Sequence, residues 1–154
     1  MSTVKMHATT NATPEQYTAA LTDFGAGRSK IFGNSADSYL KVHDARSGHA
    51  DVTEGSGGVW ERLEYDWTVP NRVVARTTDS NIWGGHSGHT YQFSRNANGM
   101  TEIDYVVVRE GKNAKGRFLG AVLGSVGKSK LVKAFRNSVK AVEARDYPAK
   151  TSQP

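Results

Sequence analysis

The central part of the chain alternates between apolar and polar residues with a period of two. From Tyr39 to Arg109 this alternation predicts six strands, separated by segments rich in Gly, Asn, Ser and Pro that are typical of turns. Consecutive strands joined by short turns pair antiparallel, so the pattern predicts a large antiparallel sheet. The expected strands are Tyr39–Ala45, His49–Glu54, Val59–Trp67, Arg72–Thr78, His86–Arg95 and Met100–Arg109.

The N-terminal segment adds one strand and two short helical elements. Residues Val4–Ala8 alternate in the same way and predict a half-buried opening strand. Thr13 is a suitable N-cap, Pro14 suits the first helical position, and Gln16 can complete a capping box. Glycines end this helix, and a second short helix or turn is expected around Ile31–Phe32.

The C-terminal segment predicts one long amphipathic helix from about Asn113 to Arg145. Phe118, Val122 and Val126 are spaced four residues apart, and lysines and arginines occupy much of the remaining surface. At about 1.5 Å per residue such a helix would span roughly 45 Å. We expect one domain over residues 3–146, followed by a disordered tail at 147–154.

The positive charge is concentrated at the C-terminus. Residues 1–110 hold ten Lys/Arg and thirteen Asp/Glu, whereas residues 111–154 hold ten and two. A solvated helix face is the commonest origin of such a pattern, and attraction to an anionic membrane surface also fits. Nucleic-acid binding is not expected, because the lysines are spread around a helix whose other face is needed for the core.

The sequence excludes some kinds of functional site and lacks the motifs of others. The 154 residues include no cysteine, which rules out disulfides, thiol catalysis and Cys-ligated zinc. The N-terminus lacks a signal-peptide pattern and no apolar run approaches twenty residues, so a cytoplasmic protein is expected. His86 and His89 lie three apart on a predicted strand and would face opposite sides, so no metal is expected. No nucleotide-binding fingerprint occurs, and no cofactor is expected.

The order of elements resembles that of the SRPBCC superfamily, whose helix-grip domains include START lipid carriers, the birch-pollen allergen and polyketide cyclase/dehydrase-like proteins. The similar segments are Thr13–Tyr17, Trp67–Val74, Asn98–Ile103 and Leu119–Lys128. The resemblance covers about residues 3–145 and implies an α+β fold, with a curved antiparallel sheet of about seven strands wrapped around a long C-terminal helix. It also implies an apolar cavity that holds a lipid, polyketide or other hydrophobic small molecule.

Residues of one strand parity are expected to line this cavity, although each of them would serve equally well to fill a core. Arg109 at a strand end is suited to bind a carbonyl or carboxylate. The complete predicted set is Leu63, Tyr65, Trp67, His89, Tyr91, Phe93, Ile103, Tyr105, Val107, Arg109, Phe118 and Val122.

Two charged or polar residues fall unexpectedly on the inner parity. Glu61 and His89 would be buried there, and burial costs about 1–3 kcal/mol for each unless it is hydrogen-bonded. They are therefore expected to be paired, near the mouth or in contact with ligand. A register shift of one residue would instead place both in solvent.

Four glycines weaken the first half of the predicted helix. Gly116, Gly120, Gly124 and Gly127 each cost about 0.5–1 kcal/mol relative to alanine. Three interpretations fit: a gate that loosens to admit ligand, close packing on the sheet, or insertion into a membrane interface.

The sequence thus predicts binding, and possible transport, of a hydrophobic small molecule or lipid. The alternative is a polyketide cyclase- or dehydrase-like enzyme that uses the same pocket for acid/base chemistry. The residues able to perform it are Glu61, Tyr65, His89, Tyr91, Tyr105 and Arg109.

Overall fold

The alternating segments form one seven-stranded sheet in the computed structural model, which describes residues 1–145. The strands follow the order β1-β7-β6-β5-β4-β3-β2, and every neighbouring pair is antiparallel. The predicted α+β helix-grip fold is confirmed. The predicted tail at 147–154 lies outside the described residues. The strands are β1 Ser2–Thr10, β2 Lys41–Arg46, β3 His49–Ser56, β4 Val59–Asp66, β5 Arg72–Ser80, β6 Gly88–Arg95 and β7 Thr101–Arg109.

One face of the sheet is buried and the other faces solvent. On β4, Leu63 and Tyr65 are buried and Glu64 between them is exposed, as the period of two requires. The edge strand β2 is exposed along its whole length. The buried face therefore lies over β1 and β3–β7, where the helices cover it.

The helix after β1 begins with the predicted capping box. Helix α1 spans Pro14–Leu21; the Gln16 amide donates to Thr13 Oγ1 at 3.0 Å, and the Thr13 amide donates to Gln16 Oε1 at 2.8 Å. A 3₁₀ turn at Arg28–Lys30 follows. The two expected short helical elements are present, although the second ends at Lys30, just before the predicted Ile31–Phe32.

The prediction of a single helix over residues 113–145 is wrong, because the structure has two helices there. Helix α2 spans Ala114–Leu123 and α3 spans Lys128–Ala144. Between them the Gly127 amide donates to the Val122 carbonyl at 2.7 Å. A Cβ at Gly127 would lie only 2.9 Å from that carbonyl oxygen, so this turn needs glycine. The long C-terminal helix of the fold is α3.

Close packing on the rest of the protein differs between the two glycines buried in α2, Gly116 and Gly120. A Cβ on Gly116 would lie 2.1 Å from the Ile82 carbonyl oxygen, in the connection between β5 and β6. At Gly120 the nearest atom would be 3.6 Å away, an ordinary contact. The requirement for close approach is therefore met at Gly116 and is absent at Gly120.

Candidate functional site

A cavity of about 350 Å³ lies between the sheet and α3. Its wall combines the inner faces of β3–β7 with α3, the end of α2 and the loop after the 3₁₀ turn. Gly33, Asn34 and Ala134 line it and are also exposed, which marks the mouth between that loop and α3. The apolar part of the wall includes Leu21, Leu63, Ala75, Tyr91, Tyr105, Val107, Leu131 and Phe135.

A row of polar side chains in the wall comes from three strands, with Glu61 on β4, His89 on β6 and Arg109 on β7. Arg109 of β7 donates two hydrogen bonds to Glu61 of β4, at 2.9 and 3.0 Å. Thr77 of β5 donates to Glu61 Oε2 at 2.9 Å, beside a shift in the β4–β5 register. His89 of β6 contacts both Glu61 and Arg109. Glu61 is therefore satisfied although it is buried.

Glu61 stays ionised in this setting. Burial disfavours its charge, but the attraction of Arg109 and the hydrogen bonds that Arg109 donates outweigh burial. They hold the pKa of Glu61 well below its usual range. The Arg109 guanidinium also lies over the Trp83 ring, 5.0 Å from its centroid.

His89 joins this ion pair to a tyrosine. Its Nδ1 lies 2.7 Å from the Tyr105 hydroxyl, and its Nε2 lies 3.0 Å from Arg109 Nη2 and 3.3 Å from Glu61 Oε1. Because Arg109 can only donate, the shorter contact favours the tautomer in which Nε2 accepts and Nδ1 donates to Tyr105. The Tyr105 hydroxyl then retains its own proton to donate.

The tyrosines beside His89 are neutral. Burial raises the pKa of Tyr105 to about 12 and raises that of Tyr91 well above its usual range. Their rings stack with centroids 4.2 Å apart. Both tyrosines line the cavity, and His89 stacks on the Tyr105 ring with centroids 5.9 Å apart.

A second polar cluster faces the cavity from β3 and the 3₁₀ turn. Arg28 Nε donates to Glu54 Oε1 at 2.8 Å, and the Tyr65 hydroxyl donates to Glu54 Oε2. Arg28 also donates to the carbonyls of Asp23, at 2.8 Å, and Ala20, at 3.3 Å. This arginine therefore ties the segment after α1 to the sheet.

The predicted cavity residues divide into two groups. Seven of the twelve line the cavity, although a role in binding stays a prediction. They are Leu63, Tyr65, His89, Tyr91, Tyr105, Val107 and Arg109.

The other five predicted residues lie elsewhere. Phe93 and Ile103 are buried in the core beyond the cavity, and Trp67 is half-buried past the end of β4, near α1. Phe118 is 68% exposed, and Val122 is not part of the wall. Phe118 and Val122 lie outside the wall because α2 is a separate helix whose buried face carries Gly116 and Gly120. Phe118 therefore faces solvent.

Glu54 and Arg28 were missed by the sequence reasoning. Glu54 shares the parity of buried Val52 on β3, which is a signal that could have found it. Arg28 lies in a short irregular segment and carries no such signal. Glu61, which was expected to be paired or at the mouth, is paired inside.

The two histidines of the His86–His89 segment do not converge. His89 faces the cavity, whereas His86 is exposed and its Nδ1 lies 3.3 Å from Glu110. Within residues 1–145 no three His, Asp or Glu side chains are arranged to hold a metal ion. Over the same residues, no helix combines the length and apolarity needed to cross a bilayer.

Comparisons with known proteins give similarity in structure alone. No protein-family model matches the sequence, and neither does any curated protein. TTHA0849 from Thermus thermophilus is 15% identical with a TM-score of 0.67, covering 99% of each chain. A START superfamily protein from Mycobacterium smegmatis is 12% identical with a TM-score of 0.67, covering 94% of this chain and 97% of its own.

The Zhui aromatase/cyclase from a Streptomyces species is also similar. It is 12% identical with a TM-score of 0.62, covering 99% of this chain and 95% of its own. Identities this low establish the fold and leave the chemistry to the residues of the site. The chain therefore has the helix-grip fold shared by START superfamily proteins and aromatase/cyclases.

Proposed function

We propose that this protein binds a hydrophobic small molecule in the cavity between the sheet and α3. The observation that carries the proposal is the cavity itself. Its volume of about 350 Å³ falls in the range of small-molecule sites, and most of its wall is aliphatic or aromatic. Convergent polar groups on one side provide directed hydrogen bonds.

Burial supplies the affinity. Removing about 300 Å² of apolar ligand surface from water is worth about 7 kcal/mol before ordering costs. The aromatic side chains of the wall suit an aromatic ligand, and the Tyr105 hydroxyl would donate to a ligand oxygen. Orientation would then follow from apolar contacts with the wall and one hydrogen bond.

Titration with 2-acetylnaphthalene, a flat neutral ketone, tests this proposal. Trp60 and Trp83 line the cavity, so binding should quench tryptophan fluorescence in a saturable way. Ala75→Leu fills part of the cavity and should weaken binding by about tenfold, or about 1.4 kcal/mol. Ala45→Leu, on the exposed edge strand, is the matched control. Equal binding by all three proteins would contradict the proposal.

An acid/base enzyme is the second candidate. The contact between His89 Nδ1 and the Tyr105 hydroxyl favours it, because a histidine and a tyrosine within hydrogen-bond reach can exchange a proton beside a bound carbonyl. One structurally similar protein is named an aromatase/cyclase.

Exchange of the acetyl methyl hydrogens of 2-acetylnaphthalene for deuterium in heavy water separates the candidates. An enzyme would transfer a methyl proton to its base, form the enolate and return a deuteron. Faster exchange with the wild type than with His89→Phe, at equal binding, would support the enzyme. Exchange at the buffer rate would support simple binding.

A membrane surface is the proposed partner of the helical face. Residues 111–142 carry eight Lys/Arg and no Asp/Glu, and Phe118 and Val126 are exposed among them. Cationic and apolar side chains together suit an anionic bilayer. Sedimentation with phosphatidylserine vesicles should exceed that with phosphatidylcholine vesicles and fall in Phe118→Ala. Equal sedimentation with both lipids would contradict this partner.

A further inference from the structure

The charges that line the cavity cancel in pairs. Arg109 is held by Glu61 and Arg28 by Glu54, and all four side chains contribute to the wall. The side chains of both pairs are at most 12% exposed. Neither arginine is therefore free to neutralise a charge that a ligand brings in.

The Arg109–Glu61 pair uses the geometry that a ligand acid would need. Glu61 accepts from both terminal nitrogens of Arg109, which is the two-pronged mode in which arginine binds carboxylates. The protein thus supplies its own carboxylate at this position. Arg28 is similarly engaged, since it donates to Glu54 and to two main-chain carbonyls.

A ligand carboxylate would also meet negative charge. Glu54 and Glu61 are paired in register on β3 and β4 and both face the cavity. An anion beside them would lose its hydration and gain no free cation, which is unfavourable in a poorly solvated site. A ketone, phenol or alcohol avoids both costs and still accepts from Tyr105.

We propose that the cavity selects neutral, oxygen-bearing ligands over carboxylic acids, and that Glu61 sets this preference by occupying Arg109. This inference rests on the proposed binding function and specifies its ligand class. The ligand is therefore an apolar ketone, phenol or alcohol rather than a fatty or aromatic acid.

Two probes of equal shape test the preference at pH 7.5. The wild type should bind 2-acetylnaphthalene at least about tenfold more tightly than 2-naphthoate, because only the acid brings a charge. Glu61→Gln frees Arg109, and it should raise the affinity for 2-naphthoate relative to that for the ketone by about tenfold or more. Glu64→Gln, on the exposed face of the same strand, should change neither.

Two further measurements distinguish a wrong ligand class from a misfolded variant. Glu61→Gln/Arg109→Gln lacks the freed cation and should show no gain for 2-naphthoate. Circular dichroism establishes whether each variant folds, and if Glu61→Gln does not, the wild-type ratio decides. Equal or tighter wild-type binding of 2-naphthoate would overturn the ligand class and leave the binding function intact. Failure of both probes to bind the wild type would instead contradict the binding function.

Discussion

Glu54 and Glu61 lie opposite one another on neighbouring antiparallel strands, with both carboxylates directed to the same cavity. Each is neutralised by an arginine from a distant part of the chain. Arg28 precedes Glu54 by 26 residues, and Arg109 follows Glu61 by 48. The polar parts of the cavity wall thus depend on pairs that exist only once the sheet and the segment after α1 have assembled.

Arg109→Leu should be strongly destabilising, because it leaves Glu61 buried without its cation. We expect a loss of about 3–5 kcal/mol in the free energy of unfolding. Glu61→Leu/Arg109→Leu removes both charges and should recover most of that loss. Urea unfolding of the two variants measures the difference. A double variant no more stable than the single one would be inconsistent with the buried pair.

Two buried tyrosines should respond differently to loss of the hydroxyl. Tyr65→Phe deprives Glu54 of a donor and Arg28 of an acceptor, so it should cost about 1–3 kcal/mol. The Tyr17 hydroxyl is buried and has no hydrogen-bond partner among residues 1–145. Tyr17→Phe should therefore be neutral or stabilising. Thermal and urea unfolding provide the comparison, and an equal cost at both positions would contradict the assigned contacts.

Two glycines of α2 provide a matched test of close packing. Gly116→Ala forces a Cβ against the Ile82 carbonyl and should cost about 1–3 kcal/mol. Gly120→Ala meets only an ordinary contact and should stabilise the helix by about 0.5–1 kcal/mol. Urea denaturation measures both changes. Stabilisation by both substitutions would show that α2 does not pack closely at Gly116.

His7 on the outer face should make stability depend on pH. Hydrogen bonds to Asp104 and Glu102 raise its pKa above 6.5. The resulting stabilisation is complete below the unfolded-state pKa and is lost as pH rises through the folded-state pKa. The stability difference between wild type and His7→Gln should therefore be larger at pH 5.5 than at pH 8.5. Urea unfolding at both pH values measures it, and a constant difference would contradict the assignment.

The sheet was predictable from the sequence because the alternation of apolar and polar residues along each strand indicates which side chains are buried. Leu63 and Tyr65 are buried and Glu64 is exposed, as alternation requires, and the first residues of β3, β4 and β5 match the predicted ones. The same parity correctly placed Glu61 and His89 inside. Their partners were not predictable, because hydrogen bonds between distant strands leave no trace in local spacing.

The end of α2 was predicted incorrectly because apolar spacing continues through the break. Phe118, Val122 and Val126 keep a four-residue spacing, although the chain turns before Val126. The turn depends on the hydrogen bond from the Gly127 amide to the Val122 carbonyl, which apolar spacing does not reveal. The cavity wall therefore uses Leu123 and Leu131 where Phe118 and Val122 were expected.

Binding inside the cavity is tested most directly by amide nuclear magnetic resonance spectra recorded while 2-acetylnaphthalene is added. We expect saturable shifts that cluster at wall residues such as Leu63, Tyr105 and Leu131, with no change at His7 on the outer face. The absence of any saturable shift, or shifts confined to the outer face, would contradict a ligand site between the sheet and α3.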